Sequence, residues 1–193
     1  MRDEKILHQE LGNIGLKKED FEKIIKSYKK IEIKKGDYLI KSGTIVKAYY
    51  FIISGFLRSY VIDFNGNEVT TNFFEKNDLI LEENSFFMQV PSKEYIQATE
   101  DCVLWMKDLD TFNAHFKLYE AYREWGRSHL VRNFFALKER TFSMITDKAS
   151  DRYLALIKSR PEIFQKTSLK NIASFLGITD TSLSRIRQEI IKK

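Results

Sequence analysis

Hydroxyl side chains and arginines near the C-terminus recur at a spacing suited to contact with nucleic-acid bases. Arg185 lies one helical turn after Thr181, and an arginine can hold guanine O6 and N7 through two parallel hydrogen bonds; a phosphate contact is its alternative role. Thr181 and Ser182 are short donors for base edges or phosphates. Asp180 suits either cytosine N4 or the positive end of a helix dipole. The predicted contacts to the DNA backbone are Ser168, Lys170, Thr179 and Arg187.

A helix-turn-helix would position these side chains. Apolar residues within 172–176 fall on one face of a short helix, and Gly177 can take the positive φ that ends it. Thr179 can cap a second helix, in which apolar residues recur from Leu183 at i, i+3 and i+7. The pattern predicts that this helix, residues 179–190, lies in the DNA major groove. An ordinary helical hairpin in a core explains the periodicity but not the spacing of small residue, turn glycine and buried leucine.

The positive charge is concentrated in the same segment. The 193 residues carry a formal net charge of +5. Residues 147–193 hold ten Lys and Arg against five Asp and Glu, so the remaining 22 charges of each sign in residues 1–146 cancel. Such an excess is expected for the neutralisation of phosphates, although a solvated basic face would give the same count.

Catalytic and cofactor chemistries lack the residues that they need. The single cysteine, Cys102, permits neither an intrachain disulfide nor a cysteine-held iron–sulfur cluster. Residues 31–107 contain no histidine for the metal chemistry of cupin-type barrels, and no nucleophile–histidine–acid arrangement or glycine-rich phosphate loop is present. We therefore expect no enzyme, no metal and no other cofactor. A haem-based sensor stays open as an alternative, although His8, His115 and His129 lie outside the barrel.

Targeting and membrane signals are also missing from the sequence. The first ten residues are charged and lack an apolar core, which disfavours a signal peptide. No apolar run has the length needed to span a bilayer. The expectation is a cytoplasmic protein without membrane contact.

The rest of the chain predicts an antiparallel barrel flanked by helices. Residues 3–30 have helical periodicity that two glycines interrupt. Over residues 31–107, short β-branched and aromatic runs alternate with turn signals about every ten residues, as in a small barrel or jelly roll. Asn65-Gly66 predicts a hairpin between two of these runs.

A long helix is predicted from Leu109 to Ile145, followed by a helix over residues 147–159. Apolar side chains form two stripes on the long helix, which indicates two partners, the barrel and a second subunit. A helix wedged between two domains of a monomer is the alternative. The stripe predicted to mediate dimerisation contains Leu118, Tyr122, Trp125 and His129.

A glycine-containing signature occupies residues 36–43, and Y-Y-F-I-I-S-G follows at 49–55. With further motifs along nearly the whole chain, these resemble the Crp/Fnr transcription regulators: the signature resembles the first strands of that family, and the second motif resembles the strand that follows. L-G-I-T-D-T-S-L-S-R-I-R at 176–187 resembles the family's recognition segment most closely. Further matching positions are Gly36, Leu39, Ile40, Gly43, Arg58, the turn at 63–66, N-D-L-I at 77–80, D-R-Y-L at 151–154 and R-P-E at 160–162.

This resemblance implies an α+β protein in three parts. An antiparallel barrel or jelly roll like a cyclic-nucleotide-binding domain, with N-terminal helices, would occupy residues 1–107 as the sensor. A long dimerisation helix would occupy residues 108–146, and a winged-helix-like helix-turn-helix domain residues 147–193. No sequence follows the recognition helix for the usual wing hairpin, so we expect a truncated wing, with Lys192 and Lys193 near phosphates.

The barrel departs from those relatives that bind cyclic AMP. They use a Gly-Glu pair for the ribose and an Arg-Ser pair for the phosphate, where this chain has Leu81-Glu82 and Ser92-Lys93. The arginine that holds a phosphate with two hydrogen bonds is absent, and Leu81 adds bulk beside the sugar. A different polar effector, or only a structural role, is the expectation for Glu82, Asn84, Ser85, Ser92 and Lys93.

The expected function is therefore sequence-specific transcription regulation. A homodimer would read a palindromic operator in double-stranded DNA, while the barrel would not bind cyclic AMP in the usual way; RNA polymerase is the further partner that such a regulator implies. Two alternatives stay open. One is a regulator that responds to a cyclic nucleotide or another small effector, and the other is a protein-interaction module that does not bind DNA.

Overall fold

The computed structural model describes residues 4–191, and their helices and strands follow the order expected from the sequence. The strands are β1 (Lys29–Ile33), β2 (Tyr38–Ile40), β3 (Ala48–Ser54), β4 (Leu57–Ile62), β5 (Glu68–Phe74), β6 (Leu79–Ile80), β7 (Tyr95–Ala98) and β8 (Cys102–Asp108). The helices are α1 (Lys5–Leu11), α2 (Lys18–Lys26), α3 (Glu83–Met88), α4 (Leu109–Leu118), α5 (Glu120–Thr146), α6 (Ala149–Ser159), α7 (Ile163–Lys166), α8 (Leu169–Phe175) and α9 (Asp180–Ile191).

Contacts within the chain divide it into two compact units. Of the described residues, the first unit comprises 4–57 and 74–132, and the second comprises 58–73 and 133–191. The hairpin of β4 and β5 therefore belongs with the C-terminal helices, and α5 contributes residues to both units.

The first unit is built on a four-stranded antiparallel sheet in the order β1-β8-β3-β6. In this sheet Ile31 of β1 lies opposite Leu104 of β8. Strands β2 and β7 form another antiparallel pair, whose register shifts between Tyr38 and Ile40. Strand β3 is buried along most of its length, and Phe51 at its centre has no exposed surface. A continuous apolar run is typical of a strand covered on both faces.

The prediction of one continuous helix from Leu109 to Ile145 is wrong at Tyr119. This residue is extended, with φ of −115° and ψ of 112°, and separates α4 from α5. The break places the ring centroids of Phe112 and Tyr122 5.9 Å apart, and both residues are buried. A straight helix would separate residues ten positions apart by about 15 Å along its axis. Burial of both rings in one core therefore requires the chain to turn between them.

In the second unit, β4 and β5 form a hairpin, which confirms the prediction from Asn65-Gly66. Asp63 Oδ1 accepts hydrogen bonds from the Asn65 N–H at 2.9 Å and from the Asn67 N–H at 2.8 Å. Gly66 has a φ of 83°, a conformation that glycine adopts without strain. The C-terminal part of α5 and the helices α6 to α9 complete this unit.

The α+β class predicted from the sequence is confirmed, since antiparallel sheets precede a helical C-terminal part. The apolar core cluster contains strand residues together with side chains of α1, α2, α3, α4 and the start of α5. Among residues 4–191, no helix combines the length and the hydropathy needed to cross a membrane.

Candidate nucleic-acid interface and barrel cleft

Two consecutive helices with capping residues, α8 and α9, lie at the C-terminal end of the second unit. Ser168 precedes α8, and its Oγ accepts a hydrogen bond from the Asn171 N–H at 3.2 Å. Thr179 precedes α9, and its Oγ1 accepts from the Ser182 N–H at 3.2 Å. A side-chain oxygen at this position satisfies one of the free N–H groups at the start of a helix.

The turn between α8 and α9 depends on Gly177. Its φ is 68°, and a Cβ atom at this position would lie 2.3 Å from Cε of Met144. The Ile178 N–H donates to the Ala173 oxygen at 3.0 Å and closes the turn. Ala173 and Leu183 have no exposed surface, so a small side chain on α8 and an apolar one on α9 are both buried. The arrangement is a helix-turn-helix.

The polar side chains of α9 lie on the face away from Leu183. Thr181, Ser184 and Arg185 are exposed. Thr179 Oγ1 lies 2.9 Å from the hydroxyl oxygens of both Thr181 and Ser182, so three hydroxyl groups cluster at the start of the helix. The other predicted DNA contacts are Ser168, Lys170 and Asp180, which are exposed, and Arg187, which is half-buried; Lys192 and Lys193 lie outside the described residues.

Of the residues predicted to meet an effector, Glu82 and Ser85 are joined by a hydrogen bond, and the others have different surroundings. Glu82 caps α3, since its Oε2 accepts from the Ser85 N–H at 2.7 Å, and burial raises the pKa of this carboxyl group. The buried Ser85 Oγ accepts from the Val46 N–H at 2.8 Å, while Ser92 Oγ accepts from the Glu94 N–H at 3.0 Å. The two remaining residues, Asn84 and Lys93, are exposed.

A small apolar cleft lies beside α3 in the first unit. Its volume is about 20 Å³, room for roughly one water molecule and too little for a nucleotide. Trp125 and His129, two of the predicted dimerisation residues, line it, and burial lowers the pKa of His129 to about 4. The other lining residues are Tyr49, Leu79, Leu81, Phe86, Phe87, Phe112, Phe116, Gly126 and Leu130.

A buried ammonium group that the sequence analysis missed lies close to this region, on β8. Lys107 has no exposed surface, and its Nζ is within hydrogen-bond distance of Ile24 O (3.2 Å), Ser27 Oγ (2.6 Å) and His115 Nδ1 (3.2 Å). It also lies 4.0 Å from the ring centroid of Tyr28. Burial lowers the pKa of Lys107 to about 7, and burial together with the Lys107 charge lowers the pKa of His115 to about 4.

Three tyrosines continue this polar cluster through the core. The hydroxyl oxygens of Tyr28 and Tyr49 are 2.6 Å apart, and so are those of Tyr49 and Tyr122. Burial raises the pKa of Tyr122 to about 12. No spacing in the sequence connects these residues with Lys107, because they come from a loop, a strand and a helix that only tertiary packing brings together.

The stripe predicted to mediate dimerisation divides between core and surface. Tyr122 is fully buried and Trp125 is 8% exposed, whereas Leu118, at the end of α4, is 69% exposed. A different apolar stripe on α5 is exposed, and its members recur at helical spacing on one face. It consists of Val131, Phe134, Phe135, Phe142 and Ile145.

Clustered metal ligands are absent from the part of the chain that the structure describes, since no three His, Cys, Asp or Glu side chains are placed to hold an ion. Cys102 is buried, and burial raises the pKa of its thiol to about 11.

Comparisons with known proteins agree with this geometry. Residues 30–119 match the family model of the cyclic nucleotide-binding domain. Comparison with curated protein sequences finds no match for this chain.

Solved structures share the fold at low sequence identity. FixK2 from Bradyrhizobium japonicum aligns with a TM-score of 0.74 and 13% identity, over 86% of this chain and 85% of that one. A protein described as a transcriptional regulator of the Crp/Fnr family from Eubacterium rectale aligns with a TM-score of 0.69 and 16% identity, over 92% and 85%.

A cAMP-bound PfPKA-R structure is similar over a shorter span. It aligns with a TM-score of 0.52 and 20% identity, and the chain covers 41% of its length with 58% of its own. The chain therefore combines a region that matches the cyclic nucleotide-binding domain with a fold shared by FixK2 and by a structure described as a Crp/Fnr-family regulator.

Proposed function

We propose that this protein is a sequence-specific DNA-binding transcription regulator rather than an enzyme. The observation that carries the proposal is the helix-turn-helix, in which Leu183 anchors α9 in the core while Thr181 and Arg185 face solvent. A helix held in this way can enter the major groove, where Arg185 would bind guanine through two hydrogen bonds. The positive charge excess of residues 147–193 would neutralise phosphates.

The regulator acts as a homodimer in this proposal. A palindromic operator requires two recognition helices related by a twofold axis. The exposed stripe of α5, including Phe134 and Phe142, is the surface that we assign to this contact, because apolar side chains at helical spacing pair along a helix seam. Tyr122 and Trp125 would instead hold α5 against the core of the first unit.

In this proposal the barrel does not bind cyclic AMP in the usual way. Three observations support it: Glu82 caps α3, Leu81 lines the apolar cleft, and Lys93 is exposed. We assign residues 1–107 to the sensor, residues 108–146 to dimerisation and residues 147–193 to DNA binding. RNA polymerase is the expected further partner.

A salt titration with selected DNA tests the function. Duplexes enriched from a random library by the purified protein would be labelled, and their binding measured by fluorescence anisotropy at several salt concentrations. We expect log K to fall linearly with log salt, since each neutralised phosphate contributes a slope of about −0.9. Failure to enrich any duplex, or binding without salt dependence, would favour the protein-interaction alternative.

A further inference from the structure

A buried arginine connects the hairpin of β4 and β5 to α8, the first helix of the helix-turn-helix. Arg58 of β4 is 6% exposed, and one nitrogen of its guanidinium donates to Asn171 Oδ1 of α8. Another nitrogen donates to Glu68 Oε2 of β5. The guanidinium also lies 4.3 Å from the ring centroid of Tyr60. Three different groups therefore hold this side chain in one orientation.

A second contact repeats the link one helical turn further along α8. The Thr70 N–H donates to Ser174 Oγ at 3.1 Å, and Ser174 Oγ donates in turn to Thr70 Oγ1 at 2.9 Å. The ring centroids of Phe73 and Phe175 are 5.2 Å apart, and Phe73 has no exposed surface. The hairpin thus meets α8 from the Asn171 turn to the end of the helix.

The hydrogen bonds to the hairpin come from two polar positions of α8. Asn171 and Ser174 bind the hairpin, whereas Ile172 and Ala173 between them are fully buried. Residues three apart share one face of a helix, so these two hydrogen-bonding positions form a single polar edge. The recognition side chains of α9, including Arg185, remain exposed while the hairpin is bound.

A second arginine joins the same assembly from α5. Arg140 donates to the backbone oxygen of Thr71 in β5 and, at 3.1 Å, to the backbone oxygen of Phe175 in α8. Its guanidinium carbon lies 4.1 Å from the ring centroid of Phe175. The hairpin, α5 and α8 therefore form one hydrogen-bonded group within the second unit.

We infer that Arg58 is a positioning residue for DNA binding: through Asn171 it holds the helix-turn-helix in the orientation that presents α9. The inference rests on the proposed function. Arg58 acts on DNA only through α8, because its guanidinium is buried and already bound by Asn171 and Glu68. A lysine would not replace it, since a single ammonium cannot reproduce a planar group with several fixed donors.

A double-mutant cycle with Arg58→Ala and Asn171→Ala tests this role. We expect each single variant to weaken binding of the selected duplex about tenfold, the scale of one hydrogen bond to a charged group. The double variant should bind no more weakly than the weaker single variant, because both changes remove the same contact. Additive losses, or an Arg58→Ala variant that binds as tightly as the wild type, would overturn the inference.

The salt slope separates positioning from direct contact. A residue that touches a phosphate lowers the slope by about 0.9 when it is removed, whereas a positioning residue leaves the slope unchanged. We expect Arg58→Ala to retain the wild-type slope, and a slope lowered by about one unit would contradict the positioning role. Phe64→Ala is the control, because Phe64 lies at the turn of the same hairpin and is 97% exposed, and it is expected to leave DNA affinity and the salt slope unchanged.

Hydrogen exchange provides a readout that does not require DNA. In Arg58→Ala we expect faster amide exchange in both residues 58–73 and α8, with α3 unchanged. Unchanged exchange in α8 would overturn the inference. Failure of the proposed function is a separate outcome, which a wild-type protein that binds no DNA would show. Should Arg58→Ala not fold, Asn171→Ala, which leaves the arginine in place, carries the same comparison.

Discussion

Arg185 is the side chain on α9 best suited to recognise a base. It is exposed, and it follows the exposed Thr181 by one helical turn. We expect Arg185→Ala to lose discrimination at one base position in each half-site, at a cost of about 1–3 kcal/mol for that base pair. Competition of the selected duplex against single-base variants measures the effect. An equal loss of affinity for every duplex would identify Arg185 as a phosphate contact instead.

Lys107 makes stability depend on pH near neutrality. Burial lowers its pKa to about 7 in the folded protein, against an ordinary value of 10.5, so above pH 7 the unfolded chain binds more protons than the folded one. The free energy of unfolding should therefore rise with pH, by at most about 1.4 kcal/mol per unit from this group. Urea unfolding between pH 7 and 8.5 measures this dependence. The free energy of unfolding should rise less with pH in Lys107→Met than in the wild type.

The groups around Lys107 do not titrate in that interval. Burial holds the pKa of His115 at about 4, and burial raises the pKa values of Tyr28 and Tyr122 above 10; the neighbouring Asp108 has a lowered pKa. Lys93→Met is the control, since Lys93 is exposed, and it should retain the wild-type slope. If the free energy of unfolding had the same slope against pH in the wild type and in Lys107→Met, Lys107 would not be the source of the pH dependence.

At the scale of elements, α5 has one buried face and one exposed apolar face. We expect Phe134→Glu, on the exposed stripe, to weaken dimerisation at least about 100-fold, because a twofold contact places the new charge in the interface twice. Light scattering after size exclusion should then report the mass of one chain, 22.8 kDa. Phe64→Glu, at a hairpin position that is 97% exposed, is the control and should remain dimeric. If Phe134→Glu and Phe64→Glu had the same mass in solution, the exposed stripe of α5 would not be the dimer interface.

Local sequence signals predicted most elements but not how the longest helix ends. Asn65-Gly66 and Gly177 mark turns because few other residues adopt a positive φ, and the structure has a positive φ at Gly66 and at Gly177. Tyr119 carries no such signal, and its extended conformation follows from the packing of Phe112 and Tyr122. Periodicity also could not say which stripe of α5 faces the core, since both stripes are apolar.

At the scale of the molecule, the apolar cleft beside α3 is too small for a cyclic nucleotide. Its volume is about 20 Å³, and its lining is almost entirely apolar. We expect neither cyclic AMP nor cyclic GMP at millimolar concentration to raise the melting temperature. A bound ligand at 100 times its Kd would raise it by about 5 °C or more. A shift of that size with either nucleotide would contradict the expectation, and a cyclic-AMP-binding protein measured in parallel is the control.

The sequence by itself determined the class of fold and the candidate recognition helix. Caps, turn glycines and apolar spacing are local, and they are sufficient to predict that a helix-turn-helix follows an antiparallel barrel. Tertiary structure alone decided which polar groups meet. Lys107 with the three tyrosines, and Arg58 with Asn171, are pairings between residues far apart in the chain. Only the packed core fixes such distances, because a buried polar group that is left without a partner costs free energy.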